Sequence, residues 1–347
     1  MNRVNQMKEH YKGKSILVTG AAGTVGQELI KQLIEFEPKE IIAVDNNETE
    51  SFFLMQRFNK NLKAYVGDIA DRDFVFRIMH GVDIVFHSAA LKHVILGERS
   101  PDSVVRVNII GLQNVLDACL ENNIERFIFT SSDKAVNPTN VMGTSKLMGE
   151  RLVTATNSKK KDQQTIFCSS RFGNVIGSRG SVLPIFKEQI KNKGPITLTD
   201  KRMTRFIMTI EEASRLIIEA CVKAQGGEVF VTKMPIMKIE DLAFVVREQL
   251  APKFGFKPED IEMTEIGSKP GEKLYEELMS DEEIGRSFEF ETMFAILPAF
   301  RSEYKKIDYS YTSEDKKADR AYNSSNETAM TTAEIKEYLI KNKLLEE

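Results

Sequence analysis

Cysteine is scarce in this chain, with three residues among 347, and the three lie far apart. Cys119, Cys168 and Cys221 each sit inside an apolar run, and none has a close cysteine with which to form a pair. This pattern favours free thiols buried in the core of a protein that works in a reducing compartment, the cytoplasm. A disulfide-stabilised secreted domain is not expected.

Metal-binding, strongly basic and long apolar segments are also missing. The four histidines show no metal-ligand spacing with cysteines or paired carboxylates, so no metal site is expected. No basic block is longer than Lys159-Lys160-Lys161, and 48 basic against 51 acidic residues leave a net charge of −3, which argues against nucleic acid as the main partner. No apolar run approaches the ~18 residues of a membrane helix, and the polar start of the chain predicts neither a signal peptide nor a membrane partner.

What the chain does contain is enough apolar material for a large core. At 41% hydrophobic residues, its length predicts a soluble globular protein with one large domain and a smaller one. Short β-rich runs alternate with helical stretches through the first half of the sequence. That alternation predicts an α/β fold with a parallel sheet and right-handed crossovers.

A glycine-rich turn follows the first predicted strand. Ser15 to Thr19 leads directly into Gly20-Ala21-Ala22-Gly23-Thr24-Val25-Gly26 and then into a helical stretch. Glycines there permit a tight turn and a close approach of the backbone to a pyrophosphate, while the N–H groups at the helix start can hold the anion. A purely structural turn is the alternative. The preceding strand and the acidic residue that ends the next one favour a dinucleotide site.

That acidic residue is Asp45, nineteen positions after Gly26. A carboxylate at this strand end accepts hydrogen bonds from the ribose hydroxyls of NAD and repels the 2′-phosphate of NADP. Asn46 and Asn47 follow it, where an NADP enzyme often has arginine. NAD is therefore predicted rather than NADP.

The third and fourth predicted strands are expected to end at the same edge of the sheet as the first two. Asp68 and Ile69 follow the third predicted strand and are expected to flank an adenine ring. Ser88-Ala89-Ala90-Leu91-Lys92 follows the fourth, and its small residues let a cofactor lie close to the backbone. Both segments are therefore expected to border the dinucleotide.

Two polar residues stand in apolar surroundings. His87, at the end of the fourth predicted strand, is predicted to be a core histidine. Asn108 lies in a predicted helix from Asp102 to Glu121, where its amide must find hydrogen-bond partners. Those partners are either neighbouring backbone or groups in the active-site crevice, and the sequence leaves both open.

The stretch that follows the fifth predicted strand contains a hydroxyl, a carboxylate and an amine in consecutive residues. The strand runs into Ser131-Ser132-Asp133-Lys134-Ala135-Val136-Asn137-Pro138, after which an amphipathic helix begins. Ligands of parallel α/β sheets bind at this carboxyl edge. Met142 and Lys146 are four residues apart, so they share one face of the helix and are expected to point into the same crevice.

These motifs together resemble the extended short-chain dehydrogenases/reductases. More narrowly, Ser132 to Pro138 and Arg171-Phe172-Gly173-Asn174-Val175-x-Gly177-Ser178-Arg179-Gly180-Ser181-Val182 resemble the UDP-N-acetylglucosamine 4,6-dehydratases of bacterial surface-sugar pathways, over about Gly13 to Glu277. The resemblance implies a Rossmann-type doubly wound parallel sheet with a smaller C-terminal substrate-binding α/β region. The expected division is residues 1–172 for NAD, 173–330 mainly for the nucleotide sugar with some segments returning to the sheet, and 331–347 as a C-terminal helix.

The resemblance also implies a reaction and its catalytic residues. Such enzymes oxidise the sugar at C-4, eliminate water across C-5 and C-6, and return the hydride to C-6. Asp133 is implied as the acid for the C-6 hydroxyl and Lys134 as the base for the C-5 proton, so the pKa of Lys134 is expected to be lowered by burial and by the nicotinamide charge. Lys146 is implied to bind the nicotinamide ribose, and Ser132 to hydrogen-bond the C-4 oxygen.

Met142 stands where the superfamily motif Tyr-x-x-x-Lys has tyrosine. Because methionine cannot accept a proton, it cannot take the role that the tyrosine has in that motif. A subset of the 4,6-dehydratases has Met there and resembles those that retain configuration at C-5, whereas inverting relatives usually keep Tyr. The C-4 proton then leaves through Ser132, water or Asp133. A core methionine in a helix that no longer catalyses is the alternative.

The remaining implied site residues fall into two groups. Besides the residues above, cofactor contacts are implied for Ala89, Ala90, Lys92, Asn108, Ser131, Lys146 and Phe172. UDP-sugar contacts are implied for Lys92, Asn174, Arg179, Ser181, Val182, Arg205 and Glu272. A homodimer or higher oligomer is expected through the helices Asp102 to Glu121 and Gly143 to Asn157.

Other functions are compatible with parts of this pattern. They are a C-5-inverting dehydratase, a nucleotide-sugar epimerase, an enzyme acting on a dehydrated intermediate, and a non-catalytic NAD-binding regulator. An epimerase eliminates no water and has no need of Asp133 beside Lys134. A regulator would keep the glycine turn and Asp45 but would not need Arg179 or Glu272.

Overall fold

A computed structural model describes residues 3–58, 61–159, 164–178, 180–267, 271–300, 307–309 and 316–346. In chain order its strands are β1 (Ser15–Thr19), β2 (Glu40–Asp45), β3 (Leu62–Val66), β4 (Ile84–His87), β5 (Arg126–Ser132), β6 (Ile166–Phe172), β7 (Asn174–Val175), β8 (Ile196–Leu198), β9 (Thr204–Met208), β10 (Val229–Thr232), β11 (Ile236–Lys238), β12 (Met263–Glu265), β13 (Glu277–Met279), β14 (Ser287–Glu289), β15 (Met293–Ile296), β16 (Lys316–Lys317) and β17 (Tyr322–Asn323).

Ten of these strands form the main sheet, in the order β3-β2-β1-β4-β5-β6-β10-β15-β14-β16. The pairs from β3 to β10 are all parallel, and the last three strands are antiparallel. The central strands are continuous apolar runs because both faces are covered; every residue of β1 and β4 is buried. The order reverses at β1, which is the doubly wound Rossmann arrangement predicted from the sequence.

The helices follow the strands in alternation. They are α1 (Arg3–Tyr11), α2 (Thr24–Ile34), α3 (Glu48–Arg57), α4 (Arg72–Ile78), α5 (Val94–Arg99), α6 (Pro101–Val104), α7 (Leu112–Glu121), α8 (Val141–Lys159), α9 (Val182–Lys191), α10 (Ile210–Lys223), α11 (Ile239–Leu250), α12 (Asp281–Ile284) and α13 (Thr332–Lys341), with a π-helical segment at Val105–Gly111 and 3₁₀ turns at Asp133–Ala135, Pro252–Phe254 and Pro258–Asp260.

Two apolar clusters cover the two faces of the main sheet. Leu29 and Ile30 of α2 pack with Ile217 of α10 on one face. Leu116 of α7 and Val153 of α8 pack on the other. The helices that carry the glycine turn and the catalytic stretch therefore lie on opposite faces, and the strand ends between them are fixed from both sides.

A third cluster forms the core of the C-terminal region. It joins Leu183 of α9, Val246 of α11 and Leu339 of α13, beside the small sheets β11-β9-β7 and β12-β8. Thr331 and Glu334 form a reciprocal capping box at the start of α13. The chain also returns to the main sheet after residue 173, through β10 and β14 to β16.

The segment predicted as one helix from Asp102 to Glu121 is interrupted by the π turn Val105–Gly111. By length and composition, Pro101–Glu121 is also apolar enough to cross a membrane, which corrects the expectation that no run approaches that length. Half of it is buried inside the protein. It packs as α7 between α4 and α8, in the manner of a core helix.

A buried ion-pair network joins the main sheet to the C-terminal region. The guanidinium of Arg171, on β6, donates to Glu150 of α8 at 2.6 and 3.0 Å and to Glu283 of α12 at 3.0 Å. It also donates to the carbonyl oxygen of Leu278 at 2.8 Å. All three charged residues are buried, and Arg171 makes the shortest ion pair of each carboxylate, with Arg286 farther from Glu283 at 3.9 Å.

We predict that Arg171→Met lowers the free energy of unfolding by ~3–5 kcal/mol, because it removes the ion pair of the buried Glu150 and leaves the buried Glu283 with the more distant Arg286, at 3.9 Å. Arg202→Met is the matched control, since Arg202 pairs with Asp200 at 2.7 Å but its side chain is 75% exposed. That change should leave the free energy of unfolding nearly unchanged, because water screens an exposed ion pair. Urea unfolding midpoints measure both, and equal losses for the two variants would contradict the prediction.

Candidate active site

The carboxyl ends of the parallel strands bring the predicted motifs to one edge of the sheet. Thr19, the last residue of β1, is in register with Val44 of β2 and His87 of β4, and β4 is paired with β5. The turns that follow these strands therefore face one region. A cleft of about 880 Å³ opens there, between this edge and the C-terminal region.

The glycine turn is built for close approach. Gly20 has φ +66°, and a Cβ at that position would lie 2.6 Å from the backbone nitrogen of Ala89. A Cβ on Gly26 would lie 2.3 Å from the carbonyl oxygen of Gly20. Helix α2 begins at Thr24 after Gly23, which provides no side-chain cap, so the first N–H groups can bind an anion. Thr24 and Val25 line the cleft.

Asp45 is held in place by this turn. Its Oδ2 accepts a hydrogen bond from the Ala22 N–H, and its Oδ1 accepts one from the Asn47 N–H, both at 3.0 Å. Asp68 is oriented in a similar way, with Oδ1 accepting from the Ala70 N–H at 2.9 Å. Both carboxylates lie at the predicted edge, outside the residues that line the cleft.

Ile69, predicted beside the adenine, is buried against Gly111 of the π turn. Its carbonyl oxygen accepts a hydrogen bond from Asn114 Nδ2 at 3.1 Å. The position of this strand end is therefore set by the helix that follows β4. A cofactor contact for Ile69 stays a prediction.

Asn108 binds backbone, the first of the two alternatives that the sequence left open, and neither it nor its partners Leu91 and Ser145 line the cleft. Its Oδ1 accepts from the Leu91 N–H at 2.8 Å, and its Nδ2 donates to the Leu91 carbonyl oxygen at 3.0 Å. The same Nδ2 donates to Ser145 Oγ at 2.9 Å. The amide thus ties the Ser88–Lys92 segment to the start of α8, beside Lys146. Ala90 and Lys92 line the cleft, while Ala89 packs against Gly20.

His87 is a core histidine, as predicted. It is buried, its Nδ1 lies 2.8 Å from Thr19 Oγ1, and its ring stacks between Phe127 and Phe129. Burial, assisted by the charge of Lys146, lowers the pKa of His87 to about 3. It therefore stays uncharged at neutral pH and supports the strand ends by packing.

The stretch after β5 forms a 3₁₀ turn that places three polar groups in contact. Ser132 Oγ donates to Asp133 Oδ1 at 2.7 Å, and Lys134 Nζ donates to the same oxygen at 2.9 Å. Asp133 is fully buried, and its Oδ2 has no hydrogen-bond partner in the part of the chain that is described. Ser132 and Lys134 line the cleft, whereas Asp133 lies behind them.

The charge of Lys134 differs from the expectation. Burial lowers the pKa of Lys134, but the carboxylates of Asp133 and Glu276 outweigh burial and raise the pKa above its usual value. The expectation that the pKa of Lys134 is lowered is therefore wrong when only the residues of this chain act on it. In the absence of other charges, Lys134 is an ammonium group at neutral pH.

Lys146 has the opposite shift. Its Nζ donates to the Thr130 carbonyl oxygen at 2.9 Å and lies 4.7 Å from the centre of the Phe129 ring. Burial lowers the pKa of Lys146 to about 8, against a smaller raising effect of Glu150. Met142, one turn earlier on α8, is buried and lines the same cleft, so the two residues do face one crevice.

Ser131 lies beside these residues but turns its hydroxyl inward. Its Oγ donates to Glu150 Oε1 at 2.6 Å. Ser131 still lines the cleft, as does Phe172, which is in register with Ser132 across the β5–β6 pair. The hydroxyl of Ser131 is thus part of the buried network around Arg171.

The predicted substrate residues lie on the opposite wall. Asn174, Ser181, Val182 and Glu272 line the cleft, and Asn174 Oδ1 accepts from Lys134 Nζ at 3.4 Å. Ser181 precedes α9, and its Oγ is buried without a hydrogen-bond partner among the described residues. Arg179 lies outside the described residues.

Arg205 lines the cleft, but its guanidinium is engaged with backbone. It donates to the carbonyl oxygens of Thr204 at 2.8 Å, Leu274 at 3.3 Å and Lys273 at 2.9 Å. It therefore fastens the segment 271–277 over the catalytic turn. A phosphate contact for Arg205 stays a prediction.

Sequence reasoning missed Glu276. It is buried, lines the cleft, and places Oε1 3.8 Å from Lys134 Nζ and 3.7 Å from Arg205 Nε. Its segment was noticed through Glu272, four residues earlier. Nothing local marks Glu276, because its burial depends on strands distant in the chain.

Comparison with known proteins identifies the family. A family model described as polysaccharide biosynthesis protein matches residues 16–298. The chain belongs to this family. The chain is 37% identical over 303 residues to a protein of Campylobacter jejuni named UDP-N-acetylglucosamine 4,6-dehydratase (inverting), and the match covers 86% of this chain and 87% of that one. This confirms the resemblance to short-chain dehydrogenase/reductase dehydratases.

Other matches agree on the family and differ in name. A protein of Methanocaldococcus jannaschii named as an uncharacterized membrane protein is 52% identical over 83% of this chain and 87% of its own length. The X-ray structure of Pen from Bacillus thuringiensis matches with TM-score 0.89 and 39% identity, covering 96% of this chain and 99% of that one. Proteins of Rickettsia species named UDP-glucose 4-epimerase are 36% to 37% identical. At the level of the family, the chain is thus a nucleotide-sugar dehydratase or epimerase.

More distant solved structures share its fold. Three of them, at 18%, 20% and 21% identity and TM-scores of 0.62 to 0.66, are described with NAD bound. At this identity the likeness shows the fold alone.

Proposed function

We propose that the chain is an NAD-dependent UDP-N-acetylglucosamine 4,6-dehydratase that retains configuration at C-5 and serves surface-glycan biosynthesis. The observation that carries this proposal is the buried carboxylate of Asp133 in contact with the cleft-lining amine of Lys134. Elimination of water needs one acid and one base close together. An epimerase, the second candidate because of the relatives with that name, has no elimination for this pair to catalyse.

The turn from Gly20 to Gly26 fits NAD. A side chain at Gly20 would meet the backbone of Ala89, and the uncapped start of α2 supplies N–H groups for a pyrophosphate. Asp45 would accept the ribose hydroxyls, and the ammonium of Lys146 would hold the nicotinamide ribose. When bound there, NAD would supply the oxidation at C-4 and the hydride for C-6.

Asp133 and Lys134 can prepare each other for elimination. Transfer of one proton from Lys134 Nζ to Asp133 Oδ1, over 2.9 Å, breaks an N–H bond and forms an O–H bond. The result is a neutral amine and a carboxylic acid, the two forms that the reaction needs. When the amine takes the C-5 proton and the acid releases its own to the departing C-6 hydroxyl, the ion pair is restored.

The proton from Asp133 needs a route, because Asp133 has no exposed surface. Ser132 Oγ lies 2.7 Å from Asp133 Oδ1 and lines the cleft. Ser132 would accept the proton from Asp133 while passing its own hydroxyl proton to the C-6 oxygen. This relay assigns Ser132 to the leaving group as well as to the C-4 oxygen.

Met142 supports retention at C-5. A methionine cannot deliver a proton from a second direction, so Lys134 would return the C-5 proton to the face from which it took it. The Campylobacter jejuni relative is named as inverting. The configuration of the product, determined by NMR, therefore tests this part of the proposal separately.

The first prediction is that the protein purifies with NAD(H) rather than NADP(H). Asp45 is fixed by two backbone N–H groups, so it could not turn away from a 2′-phosphate without losing both hydrogen bonds. Chromatography of the extracted nucleotide measures the ratio. A preparation that contains mostly NADP(H) would contradict the prediction.

Oligomeric state gives a second prediction. Val105 and Ile110 of the π turn and Met148 of α8 are 43%, 50% and 46% exposed, on the helices expected to form an interface. Burying such side chains against a second copy is favourable, so we expect at least a dimer. A sedimentation mass equal to the 39.4 kDa monomer at micromolar concentration would be the contrary result.

The third prediction concerns the double variant Asp133→Asn, Lys134→Ala. Loss of one general acid or base costs ~10²–10⁴ in rate, so the pair should abolish formation of the 4-keto-6-deoxy sugar, followed by NMR with UDP-N-acetylglucosamine. Binding of NAD and UDP should persist, because the glycine turn and the opposite wall are unchanged.

Two controls accompany this variant. Glu289→Gln removes a carboxylate that pairs with Lys233 away from the cleft, and it should leave turnover unchanged. Wild-type protein must form the product, or the proposed function itself is wrong. Near-normal product formation by the double variant would overturn the assignment of Asp133 and Lys134.

A further inference from the structure

Glu276 is a buried carboxylate that the proposed mechanism has not used. It is 4% exposed and immediately precedes β13. Its backbone is fixed on both sides by Ser324, whose Oγ accepts from the Glu276 N–H at 2.9 Å and whose N–H donates to the Glu276 carbonyl oxygen at 2.9 Å. The side chain therefore enters the cleft from a rigid position.

The contacts of this side chain are incomplete for a structural ion pair. Oε1 lies 3.8 Å from Lys134 Nζ and 3.7 Å from Arg205 Nε, outside hydrogen-bond distance. Oε2 is buried and has no hydrogen-bond partner within the described ranges. A buried carboxylate with an unsatisfied oxygen destabilises a fold, so packing alone gives no reason for an acid at this position.

Four charged groups face Glu276 from three elements. Asp133 and Lys134 belong to the 3₁₀ turn after β5, Arg205 belongs to β9, and Lys273 lies on the segment of Glu276 itself. Burial raises the pKa of Glu276, with Asp133 adding to the rise and the three cations opposing it. Lys134 is thus placed between two carboxylates, one behind it and one across the cleft.

The segment of Glu276 is attached to the catalytic turn by other contacts. Lys273 Nζ donates to the Val136 carbonyl oxygen at 2.8 Å, and Arg205 holds the carbonyl oxygens of Lys273 and Leu274. These bonds fix the distance between Glu276 and Lys134 without the Glu276 carboxylate. The carboxylate is therefore free to act on the amine rather than needed to hold the segment.

We propose that Glu276 is a positioning residue for the elimination step: from across the cleft its carboxylate, together with Asp133, fixes the place and the charge of the Lys134 amine. The proposal rests on the proposed function, because it concerns the base of that reaction. Glu276 acts through Lys134.

The variant Glu276→Gln keeps the shape of the side chain and removes its charge. Without this carboxylate the ammonium form of Lys134 is less favoured, so its pKa falls and the neutral amine persists to lower pH. The acid limb of the kcat–pH profile should therefore move to lower pH. Because the amine is also less well placed, kcat should fall about 10²-fold while KM stays within about threefold.

A second readout isolates the step. In D₂O, exchange of deuterium into C-5 reports the action of Lys134, and formation of NADH reports oxidation at C-4. Glu276→Gln should slow the exchange at C-5 while NADH still forms at the wild-type rate. Glu276→Asp keeps the charge but holds it farther from Lys134, so kcat should fall and the acid limb should move less than in Glu276→Gln.

Glu277→Gln is the matched control on the same segment. Glu277 lies 3.6 Å from Lys273 Nζ and accepts from Asn137 Nδ2 at 3.0 Å, and it does not line the cleft. This variant reports any loosening of the segment and should leave the acid limb unmoved.

The outcomes separate the two proposals. If wild-type protein forms no 4-keto-6-deoxy sugar from UDP-N-acetylglucosamine, the proposed function fails. If wild-type protein is active, a Glu276→Gln variant with normal kcat overturns the role of Glu276. If Glu276→Gln lowers kcat but leaves the acid limb where it is, or slows NADH formation as much as exchange at C-5, Glu276 has only a structural role. Either result also overturns the proposed role of Glu276.

Discussion

The buried guanidinium of Arg171 is the interaction on which the rest of the site depends. It links β6, the catalytic helix α8 through Glu150, and the C-terminal region through Glu283 and the Leu278 carbonyl oxygen. Burial would raise the pKa of Glu283, but Arg171 outweighs burial and holds that pKa at about 2. Because the folded pKa is depressed, this carboxylate stabilises the fold at neutral pH, and its contribution is lost as pH falls from the unfolded value towards about 2.

This network also sets the geometry of the chemistry. Glu150 receives the hydroxyl of Ser131, so the strand end that delivers Ser132 and Asp133 is tied to the same arginine. Leu278 lies two residues after Glu276, so the far wall of the cleft is tied to it as well. One buried cation therefore fixes the two walls relative to each other, although it lies outside the residues that line the cleft.

The two lysines of the site have pKa values shifted in opposite directions by their surroundings. Lys146 faces a carbonyl oxygen and an aromatic ring, neither of which balances its burial, and its pKa falls to about 8. Lys134 is placed between Asp133 and Glu276, and its pKa rises. Lys146 thus loses its proton readily and Lys134 keeps its proton, although both line the same cleft. The proposed proton transfer from Lys134 to Asp133 would let Lys134 act as a base, because it neutralises the ion pair until the elimination restores it.

Sequence alone was sufficient wherever the determinant is local. The glycine turn, Asp45 and the stretch after β5 follow from strand ends and spacing, and the parallel sheet follows from alternation, whereas the doubly wound arrangement was implied by the family resemblance. Glu276 was out of reach because its partner Lys134 is far away in the chain and because burial of a carboxylate has no local pattern. The π turn was missed for a related reason: its apolar residues have helical spacing, and the bonds from Asn108 to Leu91 that accompany the turn are tertiary.

Met142 bears on both the proton transfer and the configuration proposed for C-5. Its side chain is buried, lines the cleft with Lys146 and lies near Gly97 of α5, so the position is filled by a group that has no proton to exchange. In the proposed mechanism the groups that exchange protons with the sugar are Ser132, Asp133 and Lys134, three consecutive residues at the end of β5, whereas Lys146 holds the nicotinamide ribose. A site whose proton-transfer groups come from one side can remove and return a proton only from that side. The absence of the tyrosine and the retained configuration proposed for C-5 are then two consequences of one arrangement.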